Sequence, residues 1–302
     1  MEGEERLKGK ALCPASCGEI VQGMVQNRNF LVTCPISLFT QATVYLCKNH
    51  SCKDMADKSN IKAYQAAMKA LEYFGVELVP HKIIIRSQIP RGIGLSSSTA
   101  DITATCLSVA SALGKTISPD KIADIALSIE PSDGIMYAGT MIFDHIGGKW
   151  RENLGPIPQM DVYIINTGET LDTCQFNRRN DLYYLNLKKA SHVEKALNIT
   201  RHAIKTNNGR LLGRAMRESA VANQCILFKP HLPEIIKIAQ CYGAVGVNTA
   251  HSGTALGIFF QRDENVPSAF FRDVRNIVQK YEKSCMFIKT KTINHGPKIL
   301  KN

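Results

Sequence analysis

The side chains best suited to chemistry are a run of serines behind two glycines and two carboxylates some thirty residues further on. The run is Pro90-Arg91-Gly92-Ile93-Gly94-Leu95-Ser96-Ser97-Ser98-Thr99-Ala100. Gly92 and Gly94 let the backbone take positive φ and approach an anion closely. Ser96, Ser97 and Ser98 place hydroxyls where a helix begins, and a helix start gathers unpaired N–H groups and the positive end of its dipole. That combination is a phosphate cradle. It is not a Walker A loop, because no Gly-Lys-Ser/Thr follows. The same string also reads as a flexible loop with a serine N-cap. The carboxylates are Glu130 and Asp133, in Glu130-Pro131-Ser132-Asp133-Gly134. Glu130 falls near a helix C-terminus, where the dipole disfavours negative charge, and this points to a functional reason for it. Asp133 reads either as a base that must reach a hydroxyl or as a turn aspartate before glycine.

Two further glycine-containing segments flank this pair. Cys13-Pro14-Ala15-Ser16-Cys17-Gly18-Glu19-Ile20-Val21-Gln22-Gly23 holds a carboxylate between two glycines, and by itself reads as a solvated turn. Gly243 to Gly257 is a second glycine-rich loop containing Ala250-His251-Ser252-Gly253-Thr254.

These segments need elements to hold them. Ile61, Tyr64, Met68, Leu71 and Phe74 recur at helical steps, with Gly75 as C-cap. Ser98 to Leu113 is a small and apolar helix, and Ser118-Pro119 starts another that runs to about Ile129. Leu185 to Ile204, Leu211 to Asn223, Leu232 to Tyr242 and Pro267 to Tyr281 also read as helices. Strand-like runs cover Phe39 to Leu46, Lys82 to Arg86, Thr140 to Asp144, Val162 to Ile165, Ala255 to Phe260 and Cys285 to Lys289. Strands lead into helices without even βαβ spacing, so an α+β protein of two packed parts is expected. The least periodic stretch, His145 to Met160, puts the boundary between residues 1–155 and 156–302. Ile293 to Asn302 is expected to fray.

Composition narrows the classes. The chain has 302 residues, 44% apolar and 21% charged, which excludes a disordered or fibrous protein. No apolar run approaches the roughly 18 residues of a membrane span. Met1 to Lys10 is charged and has no apolar leader core, and the ten cysteines form no C-x-x-C pair. A cytoplasmic chain with reduced thiols and no zinc site is expected. The net charge of +11 suits an anionic small-molecule partner such as a nucleotide. It also suits nucleic acid. However, the tail of Lys289, Lys291, Lys298 and Lys301 has no interleaved aromatic beyond Phe287, and no RNA-binding or finger motif appears. A basic nucleic-acid-binding protein is therefore the remote alternative.

Taken together, the three glycine-containing segments resemble the GHMP kinase superfamily, which includes galactokinase, homoserine kinase and mevalonate kinase. Its middle motif is P-x-x-x-G-L-G-S-S-A-A. Pro90, Gly94, Leu95, Ser97 and Ser98 match it, while Ser96 replaces the second glycine and Thr99 the first alanine. Ser252 and Gly253 match the third motif, with Ala255 in place of its next glycine. Within the superfamily the wording is most similar to the L-threonine kinase branch of cobalamin biosynthesis. Cys13 to Glu19, Gly94 to Ile102, Glu130 to Asp133, Phe143-Asp144-His145 and Ala250 to Thr254 carry that similarity.

The resemblance implies a GHMP N-terminal domain packed on a ferredoxin-like C-terminal domain, with ATP phosphates on the loop Pro90 to Ala100. It implies Mg²⁺ held by Ser98, ahead of Ser97, and by Glu130. Asp133 matches the family's catalytic base. The family motif there is longer, and the homoserine branch works without that aspartate, so orienting the hydroxyl or binding an ammonium are its other roles. Glu19 is expected to face a substrate amine, with Ser252 and Gly253 beside it. His251 reads as a partner of phosphate or carboxylate, or as a loop histidine with no such role. Ser16 stands near the position where mevalonate-type kinases carry a phosphate-binding lysine, which leaves Arg91 as compensating charge or as a solvated loop arginine. Asp101 is read as a dipole partner in the helix's first turn. Asp144, Asp172 and Thr173 are possible substrate contacts. The implied reaction phosphorylates the hydroxyl of L-threonine; homoserine kinase or another hydroxy- or amino-acid kinase is the alternative. These acceptors differ by a methyl or methylene, worth ~1–3 kcal/mol in a pocket, and no motif encodes that difference.

Overall fold

The structure, a computed structural model, describes residues 7–48, 60–167 and 173–301. The chain runs β1 (Leu7–Val25), β2 (Arg28–Lys48), α1 (Ile61–Phe74), β3 (Leu78–Ser87), α2 (Ser97–Ala112), α3 (Pro119–Leu127), β4 (Thr140–Phe143), β5 (Arg151–Gly155), β6 (Met160–Asn166), α4 (Thr173–Asn177), α5 (Leu182–Lys205), α6 (Gly209–Ala222), α7 (Leu232–Cys241), β7 (Gly246–Thr249), β8 (Leu256–Gln261), α8 (Ser268–Val278), β9 (Met286–Lys291) and β10 (Lys298–Leu300). The helix starts follow their capping chemistry. The Asn60 side chain accepts from Ala63 N at 3.2 Å, Ser118 from Lys121 N at 3.2 Å and Asn208 from Leu211 N at 3.0 Å.

All ten strands join one antiparallel sheet in the order β5-β4-β2-β1-β7-β8-β6-β9, with β10 on β1 and β3 on β2. The strand order β7-β8-β6-β9, with helices after β6 and α8 after β8, is the ferredoxin-like pattern. The architecture is therefore α+β, as expected. Glu19 pairs with Thr249 where β1 meets β7, so the sheet is continuous across residue 155. The main core is continuous too: Ile20, Phe30 and Val32 pack in one cluster with Val162, Val193, Leu212 and Phe259.

Four readings of the sequence change. The segment Cys13 to Gly23 is a buried part of β1, not a solvated turn. It is covered on both faces, so no polar alternation marks it as a strand. β7 lies inside the second glycine-rich loop, and β5 inside the aperiodic stretch before Met160. The C-terminal residues are held rather than frayed, because Lys298, Ile299 and Leu300 pair with Leu12, Ala11 and Lys10. None of the eight cysteines whose side chains are described forms a disulfide.

Candidate active site

The two glycine loops are pressed together. Gly94 has φ +89°, and a Cβ there would lie 2.3 Å from the Cβ of Ala250. A Cβ on Gly253 would lie 2.2 Å from the carbonyl oxygen of Ile93. Only glycine fits either place. Ala255 N donates to Ile93 O at 3.0 Å, and the buried Lys229 ammonium donates to Gly253 O at 2.7 Å. Burial holds the Lys229 pKa down at about 8.

The start of α2 grips the carboxylate segment. Ser96, the N-cap, is left-handed at φ 61° and makes no side-chain cap; its hydroxyl donates instead to the Asp133 carboxylate. Ser98 Oγ donates to Glu130 Oε1, and Lys62 Nζ lies 2.5 Å from Glu130 Oε2. Asp133 N donates to Thr99 Oγ1 at 3.3 Å. Burial pushes the Asp133 carboxyl above the usual carboxylate range, with the nearby Glu130 charge adding to it and the Ser96 bond opposing.

A cavity of about 410 Å³ lies over these groups. Arg91, Gly92, Gly94, Leu95, Ser96, Ser97, Ser98 and Thr99 line it, with Glu130, Asp133 and Lys62. Glu19, His145, His251 and Ser252 line it as well. Glu19 is 3% exposed, and its Oε2 has no hydrogen-bond partner. Burial raises its pKa well above the ordinary value, and the Asp133 charge raises it further. The rings of His145 and His251 meet edge-on at 4.9 Å. Burial lowers the His145 pKa to about 4; His251 is lowered by burial, then by His145 and Lys189. His251 Nδ1 lies 2.9 Å from Gln22 Oε1.

Most residues expected at the site reach the cavity; some do not. Ile93 and Ala100 are packed in the core, and Gly253 lies behind Gly94. Pro90 belongs to the loop but is not on the cavity wall. Asp101 is one residue past the first turn of α2 and is buried, paired with Arg91 at 3.1 Å and Asn60 at 3.3 Å; it is an ion-pair partner rather than a dipole partner. Asp144 closes a turn, accepting from Ile146 N, Gly147 N and Lys149 N, and does not line the cavity. Its neighbour His145 does. Asp172 lies outside the described residues, and Thr173 begins α4. Ser16 is wholly buried, donating to Gly18 O at 3.0 Å and accepting from Cys34 N at 3.0 Å, so it shapes the bulge in β1. The cation beside the site that the sequence did not indicate is Lys62, on the first turn of α1. It belongs to no motif, and an amphipathic helix offers many such lysines. Gln22 and His145 lie in segments the sequence singled out but were not named as site residues; Gln22 lies within the first segment, three residues after Glu19.

The comparisons give the family and the fold. Residues 61–141 match the GHMP kinases N terminal domain, and residues 200–275 match the GHMP kinases C terminal family. The chain is 29% identical over 252 residues to an L-threonine kinase of Salmonella typhimurium, covering 83% of each. It is 29% identical over 255 residues to an L-threonine kinase of Citrobacter freundii, covering 84% of this chain and 87% of that one. The homoserine kinase structure from Cytophaga hutchinsonii superposes with a TM-score of 0.70 at 16% identity, covering 99% of both chains. The class is thus an ATP-dependent phosphotransferase with an alcohol group as acceptor. The chain belongs to the GHMP kinase family.

Proposed function

We propose that this chain is a cytoplasmic L-threonine kinase that makes L-threonine O-3-phosphate from ATP and L-threonine for cobalamin biosynthesis. In this reading residues 1–155 are the GHMP N-terminal domain with the phosphate loop, and 156–302 the C-terminal domain with the second glycine loop. The observation that carries it is the bracing of Glu130 and Asp133 by Ser98 and Ser96 over one cavity that also holds the unpartnered Glu19. The two L-threonine kinase relatives support the choice of acceptor.

Mg²⁺ fits the donor set. The Ser98 hydroxyl and Glu130 carboxylate are hard oxygens in mutual contact, and a metal carried by phosphates takes only one or two protein carboxylates. Among the described residues, no group of three or more His, Cys, Asp or Glu could hold a metal ion. Bound there, Mg²⁺ supplies charge neutralisation for the phosphates. The loop from Arg91 to Ser97 cradles the phosphates, and Lys62 balances Glu130. Asp133 takes the proton of the threonine hydroxyl as that oxygen bonds to the γ-phosphorus, the bond to the bridging oxygen breaks and ADP leaves. A carboxyl raised toward neutrality is a stronger base for that step.

The test is ADP release with MgATP and L-threonine, L-homoserine, L-serine, mevalonate or galactose, with phosphorus NMR of the product. Threonine-dependent release with an O-phosphothreonine signal is expected. Release with another acceptor alone overturns the threonine assignment and keeps the kinase.

A further inference from the structure

We propose that His251 recognises the acceptor's ammonium group, its Nε2 lone pair taking one N–H beside the Glu19 carboxylate. The inference rests on the amino-acid kinase reading above and deepens it.

Gln22 fixes the tautomer of His251. Its Nε2 donates to Thr249 O at 3.2 Å and to Thr249 Oγ1 at 3.3 Å. A main-chain carbonyl only accepts, so the amide NH₂ is on that side. Gln22 Oε1 therefore faces His251 Nδ1, at 2.9 Å. That oxygen also only accepts, so Nδ1 carries the proton. Lys189 steadies Gln22 from behind, donating to its main-chain oxygen at 3.3 Å. A neutral imidazole with Nδ1–H has a bare Nε2. Burial, His145 and Lys189 all favour the neutral ring. His251 is 8% exposed, lines the cavity, and its Nε2 has no partner.

A bare lone pair repels carboxylate and phosphate oxygens and needs a donor. Glu19 Oε2, on the same cavity, is equally without one. His145, edge-on to His251, adds a further unpartnered nitrogen, Nδ1. Buried polar atoms left without partners cost stability until a ligand supplies them. An ammonium brings three N–H donors on one atom and a charge that offsets Glu19. A bare hydroxy-acid or sugar brings no such charge. The acceptor's carboxylate must then lie away from His251.

Two measurements test this. Nitrogen-15 imidazole spectra of the full chain should give the Nδ1–H tautomer for His251; the Nε2–H tautomer overturns the inference. Kinetics should compare L-threonine with 3-hydroxybutyrate, which lacks the ammonium. His251→Asn keeps a donor for Gln22 and removes the Nε2 acceptor. Its KM for L-threonine should rise about tenfold or more, the worth of a hydrogen bond to a charged group. Its KM for 3-hydroxybutyrate should stay within about twofold of the wild-type value. His251→Gln, which returns an oxygen near the Nε2 position, should recover part of the loss. Equal rises for both acceptors, or an unchanged threonine KM, overturn the role of His251 alone. A wild-type enzyme that phosphorylates 3-hydroxybutyrate or mevalonate but no hydroxy-amino acid overturns the amino-acid reading, and this inference with it.

Discussion

At the loop end of the cavity each carboxylate carries a partner: Ser96 on Asp133, Ser98 and Lys62 on Glu130, Arg91 and Asn60 on Asp101. On the same cavity Glu19 Oε2, His145 Nδ1 and His251 Nε2 have none, and Asp101 keeps one oxygen, Oδ1, unpartnered as well. On the proposed function the difference follows from what each ligand would bring. A nucleotide brings negative charge, so carboxylates that must lie near it have to be fixed and offset beforehand. An amino-acid acceptor brings its own N–H donors, so acceptor atoms can be left open until it arrives. In that reading the carboxylates near the nucleotide are prebuilt and the others are completed by the acceptor.

If that contrast is right, the prebuilt carboxylates separate by role. Asp133→Asn keeps the Ser96 contact but cannot take a proton, and turnover should fall by about 10²–10⁴ while ATP affinity, measured by titration, holds. A near-wild-type rate would leave Asp133 as a support for Ser96 only. Glu130→Gln should raise the Mg²⁺ concentration for half-maximal rate by about tenfold or more, the usual cost of disturbing a metal's surroundings. An unchanged Mg²⁺ curve would remove Glu130 from the metal.

The two ends also differed in how legible they were. The phosphate loop, α2, Glu130 and Asp133 could be read because a glycine-serine string before a helix is local chemistry. Helices α1 and α3 were legible for the same reason, through spacing and caps. The acceptor end was harder, because it is assembled across the sheet. Glu19 and Gln22 come from β1, Thr249 from β7, His251 from the loop beyond it and His145 from the turn after β4. β1 itself hid because burial on both faces erased its alternation. His145 stood next to Asp144, and sequence position could not say which of the two faced inward; the turn that Asp144 closes decides it. Lys62 and Glu130 are 68 residues apart, and their pairing needs α1 packed beside α2.

A neutral imidazole buried on the cavity should also show in the pH dependence of stability. The His145 pKa is about 4 in the folded chain against 6.5 ordinarily, because burial outweighs the opposing charge of Asp144. Between those values the unfolded chain binds a proton that the folded chain refuses. Stability from this group is thus complete above pH 6.5 and is lost as pH falls toward 4. Unfolding free energies from urea titrations between pH 7 and 4.5 should fall less in His145→Gln than in the wild type, by about 1–3 kcal/mol at the acid end. Parallel curves would mean that His145 is solvated and the open end is not dry.

The smallest effects decide which cation serves the prebuilt end. The sequence offered Arg91, but its side chain is 63% exposed and points to Asp101, whereas Lys62 is 43% exposed and lies on Glu130 itself. Each cation is part-exposed but its carboxylate partner is only 6% exposed, so Arg91→Ala or Lys62→Ala leaves a buried charge less compensated and should lower the melting midpoint. Function should separate them. Removing Lys62 leaves the Glu130 carboxylate less neutralised beside incoming phosphates, so KM for MgATP should rise by about two- to fivefold, the equivalent of losing one such pair. Removing Arg91 leaves Asp101 its Asn60 bond and should change that KM by less than about twofold. If the order were reversed, with Arg91→Ala the more damaging, the arginine would be leaving Asp101 for the phosphates when nucleotide binds. The phosphate end would then be completed by its ligand too, and the contrast between the two ends would weaken to one of degree.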